Sequence, residues 1–157
     1  MVSIDVSNNP LAKNILAAVF VLVGFVVVIV GLWNIVLGAK SKNWPRATAK
    51  ILSSEVERHR TSKGGTTYGA EIHYEYHVNG IKYANNKLSF GDYQSGSPSR
   101  AQRIENKYPE GQQFSVFYDP ANPERAVLEP GVRWMQVLVV LFGAVFFAAG
   151  VFVFLTV

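Results

Sequence analysis

The sequence predicts an α+β membrane protein: two transmembrane helices flank a small antiparallel β-sheet or half-barrel domain with one short helix. Three observations predict it. Two long apolar runs lie toward the two ends of the 157-residue chain. Between them, one segment alternates apolar and polar residues with a period of two. That segment runs directly into Asn79-Gly80, a strong two-residue hairpin signal.

The first apolar run extends from Ile15 to Leu37, and its only clearly polar member is Asn34. The second extends from Met135 to Val157 and is polar only at Gln136 and Thr156. As helices, each is about 35 Å long, enough to cross a hydrocarbon core of about 30 Å with some tilt. These runs place the spans at residues 15–38 and 134–157, with residues 1–14 as an N-terminal tail and 44–130 as the soluble domain. The first run is too long for the h-region of a cleaved signal, about 7–15 residues, and Leu37-Gly38-Ala39 is a poor cleavage site.

Trp33 and Trp134 fall at the domain-side end of each run, and Trp44 follows shortly after the first. Indoles at these places suit an interfacial belt, with Lys40, Lys42, Arg46 and Arg133 at headgroup level. Ala17, Gly24, Gly31 and Gly38 recur every seven residues, as do Gln136, Gly143 and Gly150. That spacing keeps small residues on one face of a left-handed helix pair, where backbones can approach closely. An antiparallel hairpin packed along these stripes is expected, with Asn34 and Gln136 at similar depth and able to hydrogen-bond. Two spans put both ends of the chain on one side. The tail carries Lys13, whereas Lys40, Lys42, Arg46, Lys50, Arg125 and Arg133 lie on the domain side. The positive-inside rule then places the domain in the cytoplasm, although the rule weakens for loops longer than about 60 residues.

Within the domain, Trp44-Pro45 marks a stiff departure from the first span, and Thr48–Arg58 alternates loosely as a strand. His59–Thr67 is polar and glycine-rich, so a loop is expected. Tyr68, Ala70, Ile72, Tyr74, Tyr76 and Val78 form one face of the next strand, and Glu71, His73, Glu75 and His77 line the other. A return strand begins at Ile81. Ser97-Pro98 supplies the N-cap and first position of a short helix over Ser99–Tyr108, ended by Pro109 and Gly111. Phe114, Val116 and Tyr118 alternate in a further strand. Asp119, Pro120, Asn122 and Pro123 form a turn motif, because each proline restricts its predecessor and lacks a donor. Ala126–Leu128 makes a last short strand.

Trp44-Pro45, the segment YEYHVNGIKY from Tyr74 to Tyr83, Lys107-Tyr108-Pro109-x-Gly111-Gln112 and above all FSVFYDPANPERAVLEPG from Phe114 to Gly131 resemble the bacterial membrane family called domain of unknown function 3592. The resemblance covers nearly the whole chain and implies the same helix, β domain, helix layout. It implies no activity and no catalytic residues.

Net charge is +4, from 15 basic and 11 acidic residues, and is explained by attraction to anionic headgroups. No basic groove with interleaved aromatics points to nucleic acid. The absence of cysteine excludes disulfides, thiolate metal sites and a cysteine nucleophile. Glu71, His73, Glu75 and His77 share a strand face, but a single strand rarely brings three ligands to one ion, so no metal and no cofactor is expected. The serines of GDYQSGSPS lack the nucleophile-elbow pattern, Lys63-Gly64-Gly65 lacks phosphate-loop spacing, and Asp119 suits an Asx-type turn better than catalysis. Neither span holds a charged residue, which argues against an ion pathway. The expected partners are the lipid bilayer and a protein partner or a second copy, for a non-enzymatic accessory module. A lipid- or small-ligand-binding surface domain is the alternative.

Overall fold

The computed structural model describes residues 10–60, 65–91 and 97–156. The start of the N-terminal tail, the middle of the expected loop after β1 and most of GDYQSGSPS lie outside the described residues. The elements run α1 (Pro10–Ser41), β1 (Arg46–Arg60), β2 (Thr66–Val78), β3 (Ile81–Asn85), α2 (Pro98–Lys107), β4 (Gln113–Asp119), β5 (Asn122–Val127) and α3 (Trp134–Thr156). They form two compact units, Met1–Val36 with Arg133–Val157, and Leu37–Val132. The architecture is α+β: two long apolar helices flank, in sequence, a five-stranded antiparallel sheet and one short helix.

In the helical unit, α1 overruns its apolar core and starts at Pro10, where a missing amide costs nothing. Ala17, Gly24, Gly31, Gln136, Gly143 and Gly150 are all buried. A Cβ on Gly24 would lie 2.5 Å from the Phe147 backbone nitrogen and 2.8 Å from the Gly143 carbonyl oxygen. One on Gly150 would lie 2.8 Å from the Val21 nitrogen, and one on Gly31 would meet a Val140 methyl at 2.6 Å. Main chains approach too closely here for any side chain. Phe20 stacks on Phe146 with centroids 5.3 Å apart beside this seam.

The sheet has the order β3-β2-β1-β4-β5. Asn79 and Gly80 both take positive φ, 52° and 81°, as a two-residue hairpin of type I′ requires. β1 and β2 are longer than the sequence pattern indicates. β1 reaches Arg60 and β2 begins at Thr66, so His59, Arg60, Thr66 and Thr67 belong to strands rather than to the expected loop. The loose alternation in β1 has a cause: the register shifts between Ile51 and Ser53, so Leu52 is an extra, bulged residue. Ile51 at the bulge is held on its other side, its N–H donating to the Gln112 carbonyl and its carbonyl accepting from Gly111 N–H, each at 2.9 Å. β5 also starts earlier than expected, at Asn122, because the turn is confined to Pro120-Ala121. Pro123 is tolerated in it because β5 is an edge strand.

Ala49, Ile51, Ile72, Tyr74, Tyr76 and Val116 form the core on the inner face, with Ile104 of α2 and Tyr108 packed against it. The sheet curls until its edges approach. Tyr74 Oη donates to the Lys87 carbonyl at 2.9 Å, Tyr76 Oη donates to the Pro123 carbonyl, and Asn85 Nδ2 donates to the Glu124 carbonyl at 2.8 Å. Burial pushes the Tyr74 phenol far above its ordinary range, so it stays a neutral donor. Ser97 is the N-cap of α2, but its hydroxyl pairs with Ser99 Oγ at 2.9 Å and not with the helix backbone. A second cluster of Leu37, Phe90 and Val127, with Trp44 and Phe117, sits where the domain begins and ends. There Ser41, fully buried, donates to the Gly38 carbonyl at 2.8 Å and accepts from Gly131 N–H at 3.1 Å.

The helix seam yields an ordered prediction. Gly24→Ala sets a methyl against backbone, whereas Gly31→Ala sets one against a side-chain methyl, which yields more readily. Overpacking of this kind costs about 1–3 kcal/mol, or several degrees of unfolding midpoint. In detergent, Gly24→Ala is expected to lower that midpoint more than Gly31→Ala. Equal midpoints for both variants and the parent chain would contradict the close approach.

Candidate functional site: the outer face of the sheet

Because side chains alternate along each strand, the residues opposite the core share one outer face. The register places Lys50 between Glu75 and Gln113, Thr48 beside Ser115, His77 beside Lys82, and Arg46 beside Phe117. Beyond the bulge, Ser53 pairs with His73 and Glu55 with Glu71. An open cavity of about 570 Å³ lies along the start of β1, lined among others by Arg46, Thr48, Lys50, His77, Gln113 and Tyr118. The Arg46 guanidinium lies 5.0 Å above the Phe117 ring, a cation–π contact. Glu75 also lines this cavity, so Arg46 and Lys50 share it with a carboxylate.

The expected stripe of Glu71, His73, Glu75 and His77 is divided into separate contacts. His73 Nε2 meets Glu71 Oε1 at 2.9 Å, and Glu75 pairs with Lys82. Among the described residues no three His, Asp or Glu side chains are grouped to hold a metal ion. The hydrogen bond from Lys82 holds the Glu75 carboxyl below the usual range, with the charges of Lys82, Lys50 and His77 acting in the same direction.

The other residues singled out in the sequence have structural partners. Asp119 Oδ1 accepts from Ala121 N–H at 3.0 Å, closing an Asx turn, while Oδ2 meets Arg125 Nη1 at 3.1 Å. Gln136 stands three residues into α3, and its Oε1 accepts from Arg133 N–H at 3.2 Å, half of a capping box. Asn34 donates to the Val30 carbonyl of its own helix at 2.9 Å. Trp33 and Trp134 are 61% and 70% exposed, whereas Trp44 is half-buried and edge-on to Phe90 at 5.6 Å. Lys40, Lys42 and Arg46 are exposed. Glu129, not singled out in the sequence, accepts from Lys107 at 2.6 Å and from the Tyr108 hydroxyl at 3.0 Å. Burial, reinforced by the Glu129 carboxylate, pushes the Tyr108 phenol up to about 12. No local pattern in the sequence marks Glu129, because its partners Lys107 and Tyr108 lie more than twenty positions away.

The family model described as domain of unknown function (DUF3592) matches residues 47–133, more than half of the chain, and the chain belongs to that family. The match takes in nearly all of β1 through β5 and stops where α3 begins. A search of curated proteins found no match.

The Glu75–Lys82 pair gives a signed prediction. A depressed folded pKa contributes stability that is present above the unfolded carboxyl pKa and lost as pH falls through the folded one. Lys82→Ala should therefore raise the Glu75 titration midpoint, read from its side-chain carbonyl shift, toward the ordinary carboxylate value. An unmoved midpoint would show that Lys82 does not hold this carboxylate.

Proposed function

We propose that this chain is a membrane-anchored, non-enzymatic interaction module of a bacterial plasma membrane. In this reading α1 and α3 cross the bilayer, and the β domain presents its outer face to another protein. The observation that carries it is the apolar surface left uncovered: both helices are long and apolar enough to span, yet only 17% and 11% of their most apolar stretches are buried. A core helix of a soluble protein would be mostly covered, and uncovered apolar surface on this scale calls for an apolar phase. An exposed, polar, cation-lined sheet face is suited to a protein surface, where charge sets specificity. The charge balance of the flanking segments favours the cytoplasmic side. A second reading, recognition of anionic headgroups, is supported by the exposed cations Lys40, Lys42 and Arg46.

Topology tests the first reading. The chain has no cysteine, so Glu110→Cys, in the exposed turn before β4, gives one reporter. With a membrane-impermeant thiol reagent on intact bacteria, labelling is expected only after lysis. Labelling of intact cells would place the domain outside, and recovery of the chain in the soluble fraction would remove the anchor altogether.

A further inference from the structure

We propose that the cavity at the start of β1 binds a small phosphate ester, with Arg46 and Lys50 holding the phosphate and polar side chains of β2 and β4 receiving the rest of the ligand. This rests on the reading of anionic headgroup recognition and gives that reading a site in the sheet.

Arg46, Thr48 and Lys50 share one face of β1, line the cavity and are exposed. Arg46 and Lys50 lie about 13 Å apart along the strand, and both side chains are long enough to converge over Thr48. Phe117, opposite Arg46, steadies the guanidinium through the cation–π contact. Among the described residues the Arg46 N–H groups have no hydrogen-bond or ion-pair partner, so the fork that suits a phosphate is available. The cavity also holds a carboxylate, Glu75, directly opposite Lys50. Glu75 competes with a phosphate for Lys50, and its ion pair with Lys82 limits that competition.

Two further features define the ligand. The cavity, about 570 Å³, is within the size range of small-molecule sites and larger than one phosphate needs. Its neutral polar groups are the Thr48 hydroxyl, the His77 imidazole and the Gln113 amide, which suit hydroxyls such as those of a glycerol or sugar ester. The last turn of α1 belongs to the same compact unit as the sheet, and Arg46 follows Ser41 by at most about 18 Å of chain. A lipid headgroup at that end of the apolar helix is one source of such an ester, and a free phosphate ester is the other.

The test follows backbone amide shifts of the full chain by NMR, first in detergent micelles titrated with glycerol 3-phosphate. The amides of Thr48, His77 and Gln113 are expected to move, with millimolar affinity. Arg46→Gln and Lys50→Gln should each weaken binding about tenfold, the loss of one charge-assisted contact. Glu75→Gln should tighten it several-fold, which a merely disturbed sheet would not do. Arg103→Gln, which removes an exposed cation of α2, should leave it unchanged. No movement at the three amides overturns the proposal, as do equal losses from Arg46→Gln and Arg103→Gln, or weaker binding in Glu75→Gln. The same titration in nanodiscs of phosphatidylglycerol and of phosphatidylcholine names the source. Groove amides already shifted by phosphatidylglycerol identify a lipid headgroup, and equal movement by the free ester in both discs identifies a soluble one. Shifts at Lys40 and Lys42 in phosphatidylglycerol, with a groove that neither probe moves, overturn the site alone, whereas no shift at either place ends the reading of headgroup recognition as well.

Discussion

A domain inserted between two helices has to bring its first and last residues together, and here one hydroxyl does so. Ser41 donates to Gly38 and accepts from Gly131, ninety positions further along the chain. Its neighbours are restricted by the same approach. A Cβ on Gly38 would lie 2.7 Å from the Gly131 carbonyl oxygen, and Gly131 takes a φ of +115° with the Lys42 stem against it. Alanine at Ser41 would leave a buried N–H without its acceptor, at a cost of about 1–3 kcal/mol. Just beyond this point the Tyr118 N–H donates to the Pro45 carbonyl at 3.2 Å, and Leu37, Phe90 and Val127 close over the junction.

From that junction the sheet curls rather than lying flat. Tyr74 and Tyr76 are wholly buried, yet each has a hydroxyl that must be satisfied, and the carbonyls of Lys87, Ala126 and Pro123 satisfy them. The tyrosines thus act as struts between β2 and the far edge. Closure leaves one broad face of the sheet exposed, and the bulge at Leu52 falls across it, with Lys50 and Glu75 on one side and Glu55 and Glu71 on the other.

The parts of this fold legible in the sequence are those set by local chemistry. Alternation from Tyr68 to Val78 gave the strand and its buried face, Asn79-Gly80 gave the turn, and Pro98 gave the start of α2. The parts that were not legible depend on distant partners. The bulge at Leu52 is pinned by Gly111 and Gln112, sixty positions away, and it disguised the alternation of β1. Asn122 and Pro123 read as turn residues because their strand pairing depends on an edge position that the chain acquires only in the sheet. Gln136 read as a residue of the helix stripe, and its second task as a cap was hidden because arginine, not serine or threonine, precedes it at the capping position. Ser41 had no signal at all; only the continuation of the seven-residue series to Gly38 pointed to that neighbourhood.

The candidate face was half visible. Glu71, His73, Glu75 and His77 were placed together on one side of a strand, but Lys50, Lys82 and Arg46 join them only through pairing with other strands. The central claim is that the two ends of the domain are closed on each other through Ser41. Amide hydrogen exchange at Gly131 in the full chain tests it directly. Closure predicts slow exchange in the parent and exchange at least about tenfold faster in Ser41→Ala, the loss expected for a buried donor without its acceptor. Fast exchange in both chains, or the same slow exchange in both, would contradict it.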